Sequence, residues 1–332
     1  MKRHRKVAAS VSEWTRLDFR QNARQGHPSY VSSDRGMALL LVVAVVALLG
    51  LIIAGLWTAS QSSWEASQLD NGRFEAQLLA ESGSNLARHP EIEPGDPVLR
   101  QDFGDGRSFE VKVETENGRI LVNRISDDFF IEGVTELFVL WGLDATNAAI
   151  AAESIADWID ADDEARTNGA ENPYYAGLDY PQFPTNESMT SLETLMLVRG
   201  MDKVIQIQPN WRSYFTVHSD GILDLNFAKP QVIEAFLKTT SDTAVSFVAT
   251  RAGDDGELGT EDDYIVEDTD EVQGLLGISD QEWGEISSDV TLTGSMRRIE
   301  SIGKVGDRYA VKIIVLQNGE GESATPVARL VE

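Results

Sequence analysis

The longest break in the polar pattern of this chain is residues 37–57 (MALLLVVAVVALLGLIIAGLW), an uncharged run. At about 20 apolar residues, such a run can cross a bilayer as one helix. The pattern then becomes mixed. Trp64, Leu69, Phe74, Leu78 and Leu79 recur without strict alternation, no proline interrupts 58–88, and His89-Pro90 follows where a helix should stop. This predicts one helix over 37–88, about 75 Å long at 1.5 Å per residue. A competing reading places a flexible spacer after the apolar run, with Gly72 and Gly83 as breaks.

Past the prolines at 90, 94 and 97 the period changes to two. Phe109, Val111 and Val113 alternate with polar neighbours, Asn117-Gly118 offers a two-residue turn, and Ile120 and Val122 resume the alternation. That is the pattern of a β-hairpin over 108–123. Residues 296–302 and 309–317 alternate in the same way around a turn at 303–307, predicting two more strands of one antiparallel sheet. Between the two hairpins, helical patterns cover 134–140, 146–159, 191–198 and 229–238, with Thr190 or Ser191 as a cap and Asn186 and Ser188 as competitors for it. Residues 213–225 read as a short hairpin around Ser219-Asp220-Gly221. The class is therefore α+β, with an antiparallel sheet split by a large, mainly helical insertion. The expected divisions are 1–36, the spanning segment 37–57, a helix and first strands in 58–124, the insertion in 125–280, and the last strands in 281–332.

Charge orients the chain. Residues 1–36 hold eight Lys/Arg against Glu13, Asp18 and Asp34, a net of +5, which leaves −31 of the total −26 for residues 37–332. The basic end is expected in the cytoplasm and the acidic remainder across the membrane. An acidic domain lacks the basic face that nucleic-acid binding needs and favours cations or basic partners. A cleaved secretory signal, cut near Thr58-Ala59-Ser60, and a plain uncleaved anchor are alternatives; the long polar lead and long apolar core fit a secretory signal poorly. There are no cysteines, so neither disulfides nor thiolate chemistry enters.

The strongest candidate chemistry is residues 157–171 (DWIDADDEARTNGAE), where Asp157, Asp160, Asp162, Asp163, Glu164 and Glu171 crowd together. Hard oxygen donors at this density suit Ca²⁺. The stretch is not an EF-hand, because Ala165 stands where that loop needs glycine. On spacing alone, a solvated acidic loop is the simpler reading. A second acidic stretch, 253–263 (GDDGELGTEDD), could gather Asp254, Asp255, Asp262 and Asp263 around a cation, or could simply face water. The four histidines are scattered, and no nucleophile elbow, phosphate loop or dinucleotide fingerprint occurs. Trp141, Trp158, Trp211 and Trp283 read as core or interface residues. A membrane-anchored extracytoplasmic hydrolase using an acidic pair is the alternative from another functional class.

Several motifs, taken together and in order, resemble the K-type minor pseudopilin of type II (general) secretion systems. They are RGMALLLVV at 35–43, AESG at 80–83, IADWIDADDE at 155–164, GAENPYY at 169–175, SLETLMLVRGM at 191–201, FTVHSDGILDLNFA at 215–228 and RRIESIGKVG at 297–306. The resemblance implies a pseudopilin fold: a long N-terminal helix on an antiparallel sheet with an inserted α-helical domain. It implies a prepilin leader cut by a prepilin peptidase between Gly36 and Met37, with Met37 then N-methylated. It implies Ca²⁺ held by Asp160, Asp162, Asp163 and Glu171, whereas the 253–263 stretch is not part of the family pattern. Most pilin-like subunits carry Glu at position five of the mature chain, and here that position is Leu41. The same absence marks the K-type family, whose members sit at the pseudopilus tip. The implied role is non-enzymatic: starting pseudopilus assembly for protein export across the outer membrane. The implied partners are I- and J-type minor pseudopilins, the major pseudopilin and the inner-membrane assembly platform; the implied location is the inner membrane, single-pass, with the main domain periplasmic.

Overall fold

The computed structural model describes residues 34–332 apart from 90, 179–180, 257 and 320–323, and leaves the side chains of 34–36 and 58–70 undescribed. Residues 1–33, which hold most of the expected leader, therefore lie outside the described residues. In order, the elements are α1 (Asp34–Leu86), β1 (Arg100–Asp102), β2 (Arg107–Thr115), β3 (Ile120–Leu121), α2 (Asp128–Leu140), α3 (Ala145–Ile159), α4 (Asn172–Ala176) and α5 (Met201–Ile207). They continue with β4 (Phe215–Thr216), β5 (Leu223–Asp224), α6 (Pro230–Leu237), α7 (Ser241–Arg251), α8 (Thr269–Leu276), α9 (Asp280–Ile286), β6 (Val290–Thr291), β7 (Met296–Val305), β8 (Tyr309–Asn318) and β9 (Thr325–Val331). The chain divides into two compact units, residues 1–64 and 65–332.

In the first unit the described residues are helical, and none of the Met37–Trp57 window is buried. Water does not stabilise an exposed apolar helix of this length, so the segment fits a single-pass membrane anchor.

In the second unit the C-terminal part of α1 packs on a five-stranded antiparallel sheet ordered β1-β2-β7-β8-β9. The packing face of α1 is built from small residues, Ala76, Ala80 and Ser84, with Ala87 just past its end, against Phe109, Val111, Val113, Ile299, Val311 and Ile313. Small side chains let the backbones approach closely. A Cβ added at Gly303 of β7 would lie 2.0 Å from the Ala76 carbonyl oxygen and 2.5 Å from the Ala80 nitrogen. Gly83 is not a break; it faces Val111 and Ser301, and a Cβ there would come within 2.7 Å of both. The expected spacer with breaks at Gly72 and Gly83 is thus replaced by continuous helix.

The hairpin of β7 and β8 is found as expected, with β7 extending through Gly303 to Val305. Residues 116–295 lie between the adjacent strands β2 and β7, so the sheet is split by a mainly helical insertion, as the pattern implied. The insertion has its own core, containing Phe130, Phe138, Trp158, Trp211, Phe215 and Phe247. Trp141 also belongs to it, and Trp283 packs against it. The expected helix over 191–198 is a 3₁₀ helix, Leu192–Leu197, with the Ser191 hydroxyl accepting from the Glu193 N–H at 3.2 Å.

Two expected hairpins are absent. β3 does not return along β2; it pairs in parallel with β4, Ile120 opposite Phe215. The reason is that Asn117 and Gly118 do not form an exposed turn. Asn117 is fully buried, donating to the Ile222 carbonyl at 2.9 Å and to Asp220, and accepting from the Met296 N–H at 3.1 Å. Gly118 lies against Phe227, whose carbonyl oxygen would be 2.5 Å from an added Cβ. Likewise β4 and β5 do not pair with each other, because β5 runs parallel to β6. Asp224, also fully buried, fixes that arrangement by accepting from Asn226 N–H at 2.9 Å and Gly294 N–H at 2.7 Å. Long-range partners for buried polar groups outweigh the local turn preference at both places.

Candidate metal centre

The centre begins where α3 ends. Asp144 caps the helix, its carboxylate accepting from the Asn147 N–H at 3.1 Å, and the buried stripe Ala148, Ala151, Ala152, Ile155 seats it in the core. Trp158 anchors the last turn, with Tyr175 and Phe183 at ring-centroid distances of 5.3 and 5.0 Å. Asp157 and Asp160, three residues apart, then project from one side of the helix end into the following loop.

Asp157 is not a free ligand. It is fully buried and accepts from Arg166 Nη1 at 2.8 Å and from the Arg166 N–H at 3.2 Å. Burial raises its pKa, opposed by the Arg166 hydrogen bonds and charge. Arg166 Nη1 also donates to Asp160 Oδ2. Gly169 closes the loop over Asp157, and a Cβ there would sit 1.8 Å from Asp157 Oδ2. Glu153 holds the same turn, accepting from Asn168 N–H at 2.7 Å and from its side-chain amide at 2.8 Å.

Asp160, Asp162 and Glu171 converge, with one carboxylate oxygen of each lying within 4.8 Å of the others. Glu171 is only 2 % exposed, and neither of its oxygens has a hydrogen-bond partner among the described residues; nor does Asp160 Oδ1. Desolvation, then the charges of Asp157, Asp160 and Asp163, push the Glu171 pKa up to about 7. A buried carboxylate without a donor, beside two others, is a costly arrangement unless a cation joins it. An all-oxygen donor set of this kind fits Ca²⁺.

Asp163 is not part of this focus: its Oδ1 accepts from Asn186 Nδ2 at 3.1 Å. The sequence pattern does not mark Arg166 as the residue that fixes Asp157 and Asp160, nor Asn186, 15 positions beyond Glu171, as the donor to Asp163.

In the 253–263 loop the acidic groups serve their own turn. Asp262 accepts from the Asp254 and Asp255 N–H groups at 2.7 and 3.1 Å and from the Thr260 hydroxyl at 2.8 Å, and Asp263 accepts from Gly259 N–H at 2.6 Å. Among the described residues Asp254, Asp255, Asp262 and Asp263 do not share a focus like that of Asp160, Asp162 and Glu171.

The helix α3, the acidic loop and α5 all fall in a segment that matches a known family model. Residues 119–208 match the first domain of type II secretion system protein K. That segment makes up about a quarter of the chain, and the chain is also similar to whole proteins of this kind. It is 24% identical over 196 residues to the putative type II secretion system protein K of Escherichia coli K12 and 29% identical over 195 residues to the protein K of Pectobacterium carotovorum. In each case the match takes in 52% of this chain and spans 60% of the relative's length. The protein K of Pseudomonas aeruginosa is 24% identical over 325 residues, 89% of this chain and 92% of that one. In fold the chain is similar to a chain of the crystal structure of the GspK-GspI-GspJ complex from the enterotoxigenic E. coli type 2 secretion system. The TM-score is 0.55 at 14% identity, covering 83% of this chain and 99% of that one. The α+β class expected from the sequence, with an N-terminal apolar helix and an antiparallel sheet, is the observed one.

Proposed function

We propose that the protein is the tip subunit of a type II secretion pseudopilus, starting its assembly together with I- and J-type minor pseudopilins for protein export across the outer membrane. The observation that carries this reading is a protein K domain preceded, in the same chain, by an apolar spanning helix with a basic segment before it. The relatives are named as secretion components, which favours a non-enzymatic role over the hydrolase alternative. The +5 charge of residues 1–36 supports a cytoplasmic N-terminus in the inner membrane, with the acidic remainder in the periplasm.

Leu41 supports the tip position. A carboxylate buried in the membrane needs a partner, and a subunit with no neighbour above it has no amine to supply one. An apolar residue at the fifth mature position removes that requirement. The fold-level likeness to the GspK-GspI-GspJ complex supports the I- and J-type partners. Contacts with the major pseudopilin, the assembly platform and the prepilin peptidase belong to the same reading.

The proposal includes one Ca²⁺ held by Asp160, Asp162 and Glu171, with Asp163 positioning the neighbouring segment. The ion would fix the loop between α3 and α4 and neutralise the Glu171 carboxylate. Its role there is structural.

Copurification tests the assembly role. The mature chain mixed with the I- and J-type subunits of its own organism should give, by native mass spectrometry, a complex holding one copy of this chain. The chain alone should form no fibres by electron microscopy. Homopolymeric fibres from the mature chain would contradict the tip assignment.

A further inference from the structure

The face of the sheet that α1 leaves uncovered meets the insertion at a cavity of about 410 Å³. Val311, Ile313 and Val315 of β8 pack under α1, so by alternation Ile314 and Leu316 point to the opposite face, beside Arg298 of β7 and Leu330 of β9. Those four side chains line the cavity from the sheet, and Phe215 and Val217 line it from the insertion.

Inside these apolar walls are cationic donors without acceptors. Arg298 is only 6 % exposed; its terminal nitrogens donate to Glu116 at 2.9 Å and to Glu300 at 3.2 Å, and its Nε has no partner among the described residues. Arg119 also lines the cavity. Its guanidinium makes no hydrogen bond among the described residues, and its ion pair with the same Glu116 carboxylate is 3.9 Å long. Two guanidiniums therefore share one buried carboxylate. Burial lowers the Arg119 pKa, and burial followed by the charge of Arg119 lowers that of Lys229 to about 8. The acidic side chains at the rim are already engaged: Arg212 holds Glu193 at 2.9 and 2.7 Å, and Lys312 holds Glu332 at 2.6 Å. Unused guanidinium donors in a half-enclosed apolar cleft are complementary to a carboxylate.

The strand beside the cavity is open. β9 is the last strand of the sheet and mostly exposed, with Val327, Leu330 and Val331 all reaching solvent. Lys312 and Glu332 exchange both backbone hydrogen bonds, at 3.1 and 2.9 Å, and in an antiparallel ladder such pairs alternate. The N–H and C=O groups of Arg329 and Val331 therefore point away from β8, to the outer edge. A strand added there would set one of its side chains beside Leu330, on the face where the cavity lies.

We propose that β9 and this cavity together form a docking site for an extended acidic segment of a partner protein. The segment pairs its backbone with Arg329 and Val331, and one Glu or Asp side chain enters the cavity to meet Arg119 and Arg298. The open edge supplies affinity, and the two guanidiniums select the carboxylate. The site lies on the opposite face of the sheet from α1 and depends on neither the metal centre nor the tip assignment.

The test uses the full chain in detergent and a short dye-labelled peptide of alternating Val and Thr with one central Glu, read by fluorescence anisotropy. The Gln counterpart should bind about tenfold or more weakly, the contribution of a charge-assisted hydrogen bond. Arg119→Gln should bring the Glu peptide down to the level of the Gln peptide without lowering the melting temperature by more than a few degrees, since that guanidinium holds no hydrogen bond in the fold. Val331→Pro removes an N–H that the native ladder does not use, and it should abolish binding of both peptides. Equal affinity of the native chain for the Glu and Gln peptides, or an undiminished Glu preference in Arg119→Gln, would overturn the carboxylate pocket. Native-like binding by Val331→Pro would overturn strand addition at β9. Free glutarate binding as tightly as the Glu peptide would assign the cavity to a small carboxylate and overturn the partner segment. Failure of the native chain to bind either peptide would overturn the site as a whole.

Discussion

Chelation should lower the melting temperature of residues 65–332 by roughly 5–10 °C. Ca²⁺ at a hundredfold excess over its dissociation constant stabilises the folded state by about 2.7 kcal/mol. Each kcal/mol corresponds to about 2–4 °C in a domain of this size. The physical basis is the convergence of Asp160, Asp162 and Glu171 within 4.8 Å, with both Glu171 oxygens lacking donors. Without a cation, burial and the neighbouring carboxylates push the Glu171 pKa up to about 7, a measure of how poorly its charge is accommodated. Asp160→Ala combined with Glu171→Ala should remove most of the Ca²⁺ dependence. An unchanged melting temperature on chelation, with no metal in elemental analysis, would return the segment to a solvated acidic loop.

Gly303→Ala should destabilise the same unit by about 3 kcal/mol, the upper part of the range for overpacking a close contact. The added methyl carbon would lie 2.0 Å from the Ala76 carbonyl oxygen and 2.5 Å from the Ala80 nitrogen. Both are backbone atoms of α1, so no side-chain rotation relieves the contact; the helix must shift off the sheet. Gly274→Ala in α8 is the control, since open space surrounds it and alanine favours helix. It should be neutral or slightly stabilising in chemical denaturation. Equal stability of the Gly303 variant and the native chain would mean that α1 does not rest on β7 through its backbone.

The parts of this fold that were legible in the sequence are those whose causes are local. The alternation in 296–317 gave the β7–β8 hairpin because both strands and their turn are contiguous, and the periodic stretch 146–159 gave α3, though not its Asp144 cap. Asn117-Gly118 and Ser219-Asp220-Gly221 misled for the opposite reason. Their side chains and backbone are held by residues far along the chain, Asn117 by Ile222 and Met296 and Asp220 by Ser295, which no local pattern encodes. Strand β9 was not predicted: it is mostly exposed along an edge of the sheet and contains Pro326, so it lacks the alternation of a half-buried strand.

The candidate centre divides in the same way. Density of carboxylates marked Asp160, Asp162 and Glu171, and these are brought together. It could not distinguish them from Asp157, which Arg166 occupies, or from Asp163, which turns to Asn186. Those distinctions depend on which oxygens already have donors, a property of the folded loop. Asn186, the donor to Asp163, comes from a separate stretch of chain, held beside the loop by Phe183 packing on Trp158.

The most direct measurement on the central claim is the intact mass and N-terminal sequence of the protein extracted from its native membrane. A tip pseudopilin requires a cut between Gly36 and Met37, which leaves the whole 37–57 helix on the mature chain. Met37 should be the first residue, carrying a single added methyl group on its amine. A first residue near Ser60, as a secretory signal would give, or an intact Met1, as a plain anchor would give, would contradict it.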